Sequence, residues 1–204
     1  MELCKKKEEN CLTPYLQCTE IGNLYSYLAY KRDTQFFIGF TVGKWNDETC
    51  DLFYKMLESR LRFPTQKRKL TIFTDGNKQN ITGISNNFHA DAVRYGIRKK
   101  IKISQKIVGV VSEAIFGNPA LDTIGITQID GFCSKLRERI SCFTRKARSF
   151  AKRKAGLEDR LEIFSVPHNF MEKKKGKTPA IREGLTMKIW DWSMVLHQRL
   201  SYLN

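Results

Sequence analysis

The order of patterned segments along the chain predicts one α/β domain with a mixed sheet flanked by helices. Three observations support this prediction: two adjacent aromatic and β-branched segments, a short apolar strand that ends in an acid, and a long amphipathic helical pattern in the second half. Strand and helix patterns that alternate along one chain are typical of an α/β architecture. With 204 residues, the chain is long enough to bury one sizeable core.

The amino-terminal part of the chain predicts a leader, a hairpin and a helix. Residues 1–14 are polar and charged and are predicted to be a flexible leader. Segments 15–30 and 35–43 are rich in aromatic and β-branched residues and flank a polar turn, which predicts a β-hairpin. Asp47 is the predicted N-cap of the helix that follows, because short polar side chains cap the first turn of a helix.

A short apolar strand is predicted from Leu70 to Thr74, and Asp75 and Gly76 follow it directly. An acid in this position lies at the carboxyl end of a strand, where open α/β sheets bind their ligands. Asp-Gly is also common turn chemistry. These residues alone leave both a functional site and a plain turn open.

The second half of the chain predicts one further strand and several helices. Residues 81–100 have the pattern of a helix or a loop, and residues 101–115 that of a strand. A long helix is predicted over 130–154, a second helix over 157–164, and a short amphipathic helix over 187–203.

The predicted helix from Asp130 to Lys154 is basic and amphipathic. Its apolar residues recur at intervals of three or four and form one stripe, namely Phe132, Leu136, Ile140, Phe143, Ala147 and Phe150. Its basic residues are Arg137, Arg139, Arg145, Lys146, Arg148, Lys152, Arg153 and Lys154. A basic face either binds an anionic polymer or is merely solvated, and the helix alone leaves both interpretations open.

Composition indicates an acidic partner for the whole chain. The formal net charge is +15 and the sequence pI is about 9.7. Nucleic acid is the commonest partner of such a chain, and an anionic membrane surface comes second. Because no apolar run approaches the ~20 residues that span a bilayer, and the amino terminus has no signal-like apolar region, we expect a cytoplasmic protein outside the membrane. The six cysteines form no CxxC pair and the three histidines are scattered, so no zinc site is predicted.

Four segments of the chain resemble the insertion-sequence-one transposase family. They are FTDGNKQ (73–79), IFGNPALDTIGITQID (115–130), LRERISCFTRKARSFAK (136–152) and GKTPAIREGLTMKIWDW (176–192). The resemblance implies an RNase H-like core over 15–165, with a basic linker and a C-terminal helical extension over 166–204. It also implies DNA as the partner, a homo-oligomer, and a prokaryotic, nucleoid-associated location.

The family's enzymes cut and join DNA with three carboxylates that hold two Mg²⁺ or Mn²⁺ ions. The resemblance places the second and third acids, both metal ligands, at Asp75 and Asp130. The family's first aspartate falls on Gly22, which has no side chain to bind a metal. We therefore expect a transposase-like DNA-binding protein whose catalysis is weakened or lost, with no cofactor in that case.

The alternative is an active magnesium-dependent transposase or nuclease. In this alternative Glu20 replaces the missing acid, since residues two apart on a strand point to the same face. The acids would then be Glu20, Asp75 and Asp130.

Overall fold

The computed structural model describes residues 24–104, 106–144 and 153–197. These residues form a mixed α/β fold, with a mixed sheet flanked by helices. The strands are β1 (Tyr25–Tyr30), β2 (Phe37–Gly43), β3 (Leu70–Thr74), β4 (Val93–Ile103) and β5 (Lys106–Phe116). The α-helices are α1 (Asp47–Arg60), α2 (Lys78–Asn87), α3 (Thr127–Arg139), α4 (Lys154–Val166), α5 (Pro179–Arg182) and α6 (Trp192–Leu196).

The predicted hairpin is confirmed. Strands β1 and β2 pair antiparallel, with Tyr25 opposite Gly43 and Tyr30 opposite Phe37. The turn is closed by the Lys31 N–H, which donates to the Phe36 carbonyl at 2.8 Å. The predicted first strand began at residue 15, and its residues before 24 lie outside the described part.

The predicted helix after the hairpin is also confirmed, but its cap is one residue earlier. Asn46, not Asp47, has the extended backbone of an N-cap, and its Oδ1 accepts the Thr49 N–H at 2.9 Å. Asparagine and aspartate are comparable N-cap residues, so the residue type alone could not show which of the two neighbours caps the helix. Asp47 lies in the first turn, where the helix dipole favours a carboxylate.

The second sheet differs from the prediction for residues 81–115. Strand β3 pairs parallel with β4, and β4 pairs antiparallel with β5. The segment predicted as a helix or loop contains most of α2 and the first part of β4, and the single predicted strand is a hairpin that turns near Ser104. The basic run in the middle of β4 hid the strand, because Lys99 and Lys100 are exposed rather than buried.

The prediction of one long helix from Asp130 to Lys154 is wrong. Helix α3 ends at Arg139, Ile140 is extended with φ −117° and ψ 105°, and α4 begins only at Lys154. The break lets Cys142 and Phe143 turn into the same core that α4 enters. Asp130 does lie in the first turn of a helix, as expected.

The β1–β2 hairpin separates two hydrophobic clusters. Leu24 and Val42 belong to the first cluster, which α3 and α4 cover. Tyr27 belongs to the second cluster, which α1, α2, β3 and β4 complete. Because successive side chains of a strand point to opposite faces, two short strands supply apolar groups to both clusters.

The carboxyl-terminal part is anchored on the hairpin by one buried amide. After α4 the chain makes a π-helical turn, Pro167–Met171, which contains Asn169 at 4% exposure. Asn169 Oδ1 accepts the Phe37 N–H, and its Nδ2 donates to the Phe37 carbonyl, both at 2.9 Å. Further along, Phe170 stacks on Trp190 with 4.5 Å between ring centroids. The predicted extension therefore packs on the core.

Asn169→Ala tests this anchor. Removing both bonds leaves the Phe37 N–H and carbonyl buried without partners, so we expect the free energy of unfolding to fall by roughly 2–4 kcal/mol. Urea denaturation followed by circular dichroism measures it. The matched control is Asn86→Ala, since Asn86 is exposed and makes only a 3.5 Å bond. Equal effects of the two substitutions would contradict the anchor.

Candidate functional site

The two predicted acids, Asp75 and Asp130, both act on the Cys133 thiol. Asp75 directly follows β3, and Asp130 lies one helical turn before Cys133 on α3. Burial raises the pKa of the Cys133 thiol, the nearby Arg137 guanidinium lowers it, and the Asp130 and Asp75 carboxylates raise it again. The acids come from distant parts of the sequence, and both carboxylates raise the pKa of this one thiol.

Each of the two acids already has a partner within the protein. Asp130 Oδ2 forms an ion pair with Lys100 Nζ at 3.0 Å, and both side chains are about half exposed. Asp75 is exposed, and its Oδ1 accepts the Asn77 N–H at 3.2 Å. This bond makes Asp75 the first residue of an Asx turn, and Asn77 in turn caps α2.

The described residues include two of the three acid positions that the resemblance expects around two metal ions. Within 24–104, 106–144 and 153–197, no three His, Cys, Asp or Glu residues are grouped so that they could hold a metal ion. Two-metal chemistry requires several hard oxygen ligands around both ions. The Lys100 ammonium also supplies the cation next to Asp130. Glu20 and Gly22, the residues considered for the first acid, lie outside the described residues.

Three tyrosine hydroxyls bond residues on either side of Asp75. The Tyr95 hydroxyl is 2.7 Å from Thr74 Oγ1, the Tyr27 hydroxyl donates to Gln79 Oε1 at 2.8 Å, and the Tyr54 hydroxyl donates to Asn80 Oδ1 at 3.0 Å. Burial, with a smaller contribution from the Asp75 carboxylate, raises the pKa of Tyr95 to about 12. The phenols therefore stay protonated at neutral pH and act as hydrogen-bonding groups for Thr74, Gln79 and Asn80, which flank the turn of Asp75.

Two arginines that the sequence did not single out meet beside the start of α3. Arg32 Nη1 donates to the Thr123 carbonyl at 2.7 Å, and Arg98 Nη1 donates to the next carbonyl, that of Ile124, at 3.3 Å. A Cβ on Gly125 would lie 3.0 Å from Arg32 Nη2 and 3.5 Å from Arg98 Nη1. The two guanidinium groups are thus neighbours, and a glycine leaves room between them.

The arginine pair, Arg32 and Arg98, has the chemistry of an anion site. Each guanidinium carries five N–H donors in a rigid fork, and each bond to the loop carbonyls uses one of them. Arg32 also lies over the Phe73 ring, 5.5 Å from its centroid, which is a favourable cation–π contact. The amino terminus of α3 follows the loop and adds a favourable dipole for negative charge. Sequence reasoning missed the pair because Arg32 lies in a predicted turn and Arg98 in a basic run.

The basic residues that were predicted to share one face of a helix lie in different environments. Arg139 and Lys135 both bond the Glu172 carboxylate, and Lys154 Nζ lies 3.6 Å from Glu158 Oε1. Arg137 Nε is buried and has no hydrogen-bond partner among the described residues. Arg153 is exposed at the start of α4. The remaining predicted residues, Arg145, Lys146, Arg148 and Lys152, lie outside the described part of the chain.

A buried histidine joins α3 to the hairpin turn. His168 is 6% exposed; its Nε2 is 3.0 Å from the Gln35 carbonyl oxygen and its Nδ1 is 2.9 Å from Lys135 Nζ. Since a carbonyl only accepts, Nε2 carries the proton and Nδ1 accepts from the lysine. Burial, and next the Lys135 charge, lower the pKa of His168 to about 4.

Comparison with protein-family models, with curated proteins and with solved structures finds no match for this chain. The likeness to the insertion-sequence-one transposases therefore rests on the four sequence segments alone. Over the described ranges, no helix combines the length and apolar character needed to cross a membrane.

The pH dependence of stability tests the buried histidine. In the folded protein the pKa of His168 is about 4, whereas its ordinary value is 6.5. Between pH 4 and pH 6.5 the histidine is therefore protonated in the unfolded chain and neutral in the folded protein. Stability must then fall as the pH drops from 6.5 to 4, by up to about 1.4 kcal/mol per pH unit.

We expect His168→Gln to remove this part of the slope in urea denaturation at a series of pH values. His197→Gln is the control, because His197 is exposed. A slope that His168→Gln leaves unchanged would show that the histidine titrates normally.

Proposed function

We propose that this protein binds DNA through an RNase H-like core of the insertion-sequence-one transposase type, and that its catalysis is weakened or lost. The observation that carries the proposal is the arginine pair, Arg32 and Arg98, whose guanidinium groups bond the loop before α3. The parallel register of β3 and β4 pairs Thr74 with Ile97, so Asp75 and Arg98 follow at the same level of the sheet. The proposed phosphate contact thus lies at the edge where the family resemblance expects DNA to bind.

Guanidinium groups suit the phosphodiester backbone. Arginine contacts two phosphate oxygens at once, and such charge-assisted bonds are about twice as strong as neutral ones. Bonds to the Thr123 and Ile124 carbonyls hold the heads of Arg32 and Arg98 in place, so little side-chain entropy is lost on binding. The surplus of 36 Lys and Arg over 21 Asp and Glu attracts the polyanion from a distance.

The loss of catalysis is proposed from the acids. The resemblance aligns its first acid with Gly22, which has no side chain to bind a metal, and of the two remaining acids, Asp130 is paired with Lys100. Phosphate contacts require Lys and Arg but no exact carboxylate geometry. The same edge of the sheet is therefore better suited to holding a DNA backbone than to cutting it.

Arg32→Gln and Arg98→Gln test the proposed contact. Each removes one guanidinium, so we expect about tenfold weaker binding to a duplex. We also expect the slope of log affinity against log salt to become shallower by about one. Fluorescence anisotropy with a labelled duplex at about 50 to 200 mM salt measures both quantities.

Arg62→Gln is the matched control because it removes the same charge elsewhere. Arg62 precedes Phe63, which lines a cavity with Ala92 at the amino end of β4, away from the proposed contact. If Arg62→Gln weakens binding as much as the two test variants, the contact is wrong. Binding that does not depend on salt would overturn the DNA proposal itself.

Cleavage of plasmid DNA in Mg²⁺ tests the catalytic half of the proposal. We expect no nicking by the unmodified protein, and metal-dependent nicking by Gly22→Asp that Asp75→Ala then abolishes, because the first acid would be restored. Should the unmodified protein nick DNA in an Asp75-dependent manner, the alternative with Glu20 would be correct and the proposed loss of catalysis wrong.

A further inference from the structure

Strand β5 leaves one edge of the three-stranded sheet without a neighbouring strand among the described residues. The β4–β5 hairpin also exposes aliphatic side chains at 45–63%, namely Ile101, Ile103, Ile107, Val108, Val110 and Val111. Proteins usually protect such edges with proline, charged residues or a covering segment. The sequence of β5, KIVGVVSEAIF, contains no proline and only two charged residues, Lys106 and Glu113. An edge of this kind is suited to pairing with another strand.

A bulge in β5 places its two charges on one face of the sheet. Ile101 lies opposite Gly109 but Lys102 lies opposite Ile107, so Val108 is an extra residue in β5. Without the bulge, Lys106 and Glu113 would point to opposite faces, because they are an odd number of residues apart. Their partners on β4 are Ile103 and Ile97, which are six apart and share a face. Both charges of β5 therefore share that face.

We propose that β5 pairs antiparallel with β5 of a second copy of this chain, about a two-fold axis at Val110. With Val108 bulged in each copy, Gly109 lies opposite Val111 of the second copy, and Ile107 lies opposite Ser112. Lys106 then lies opposite Glu113 of the second copy, and symmetry repeats this ion pair at the other end. The two three-stranded sheets become one six-stranded sheet, and the interface is isologous, as two-fold symmetry requires.

Charge complementarity favours this occupant. A chain with net charge +15 repels its own copies over most of its surface, whereas β5 carries one positive and one negative residue. Antiparallel pairing brings the opposite charges together, while parallel pairing would bring like charges together. Glu113 is half exposed and uses Oε2 to bond Lys99 at 3.1 Å, so the Lys106 ammonium of the second copy adds a cation at its other side.

Sedimentation velocity over a concentration series tests the dimer and its register. We expect the unmodified protein to dimerise, and Val110→Lys to be monomeric because it places two like charges on the axis. Lys106→Glu and Glu113→Lys should each weaken the dimer about tenfold or more, since each creates like-charge pairs at both ends. Combining the two substitutions exchanges the charges and should restore dimerisation to near the unmodified value.

The control is Ile163→Lys, which introduces the same charge at an aliphatic residue of α4 that is 63% exposed. It should leave the dimer unchanged. A monomeric unmodified protein, a dimer that Val110→Lys does not affect, or a charge exchange that fails to restore pairing would each overturn the proposal. If the unmodified protein is monomeric, the exposed edge of β5 does not pair with a second copy.

A cross-link keeps the test decisive if Val110→Lys does not fold. Two copies of Val110→Cys would face each other on the axis, so mild oxidation should give a reducible dimer. Its yield should exceed that of the unmodified protein, whose six cysteines set the background, and that of Ile163→Cys. A yield no higher than these two would overturn the proposed axis.

Discussion

The burial of both faces of the β1–β2 hairpin is the constraint on which the rest of the fold depends. Leu24 and Tyr27 lie on opposite faces, and each belongs to a different hydrophobic cluster. A two-stranded ribbon is not stable by itself, so each face requires a cover. Helices α3 and α4 cover one face, and α1, α2 and the β3–β4–β5 sheet cover the other. The position of the candidate site follows, because β3 and α3 approach the hairpin from its two sides.

The same constraint explains why the carboxyl-terminal segment belongs to the core. The Phe37 backbone at the start of β2 has its N–H and carbonyl bonded by the amide of Asn169, and the turn before it has a carbonyl bonded to His168. Two side chains of one π-helical turn therefore fix the turn end of the hairpin. Buried backbone groups must find partners, and here a distant segment supplies them in place of a third strand.

Positive charge is used in two ways in this protein. Lys100, Lys135 and Arg139 pair with carboxylates, so much of their charge is balanced within the fold. Within the part of the chain that the structure describes, Arg32 and Arg98 instead bond neutral carbonyls, which orient the guanidinium groups without neutralising them. An oriented but unbalanced charge is what a phosphate requires, and this difference separates the proposed contact from the basic residues that the sequence first suggested.

The sequence by itself determined the α/β class, the hairpin, α1, β3 and the acids at the end of β3 and the start of α3, because strand and helix periodicities are local. It did not determine the end of α3 at Arg139, because the spacing of Phe132, Leu136, Ile140 and Phe143 is also that of a continuing helix. The strand character of β4 was hidden because its basic residues are exposed. The convergence of Arg32 and Arg98 and the protonation of His168 were decided only by the tertiary structure. Both depend on contacts between residues far apart in the chain, and no local pattern records those contacts.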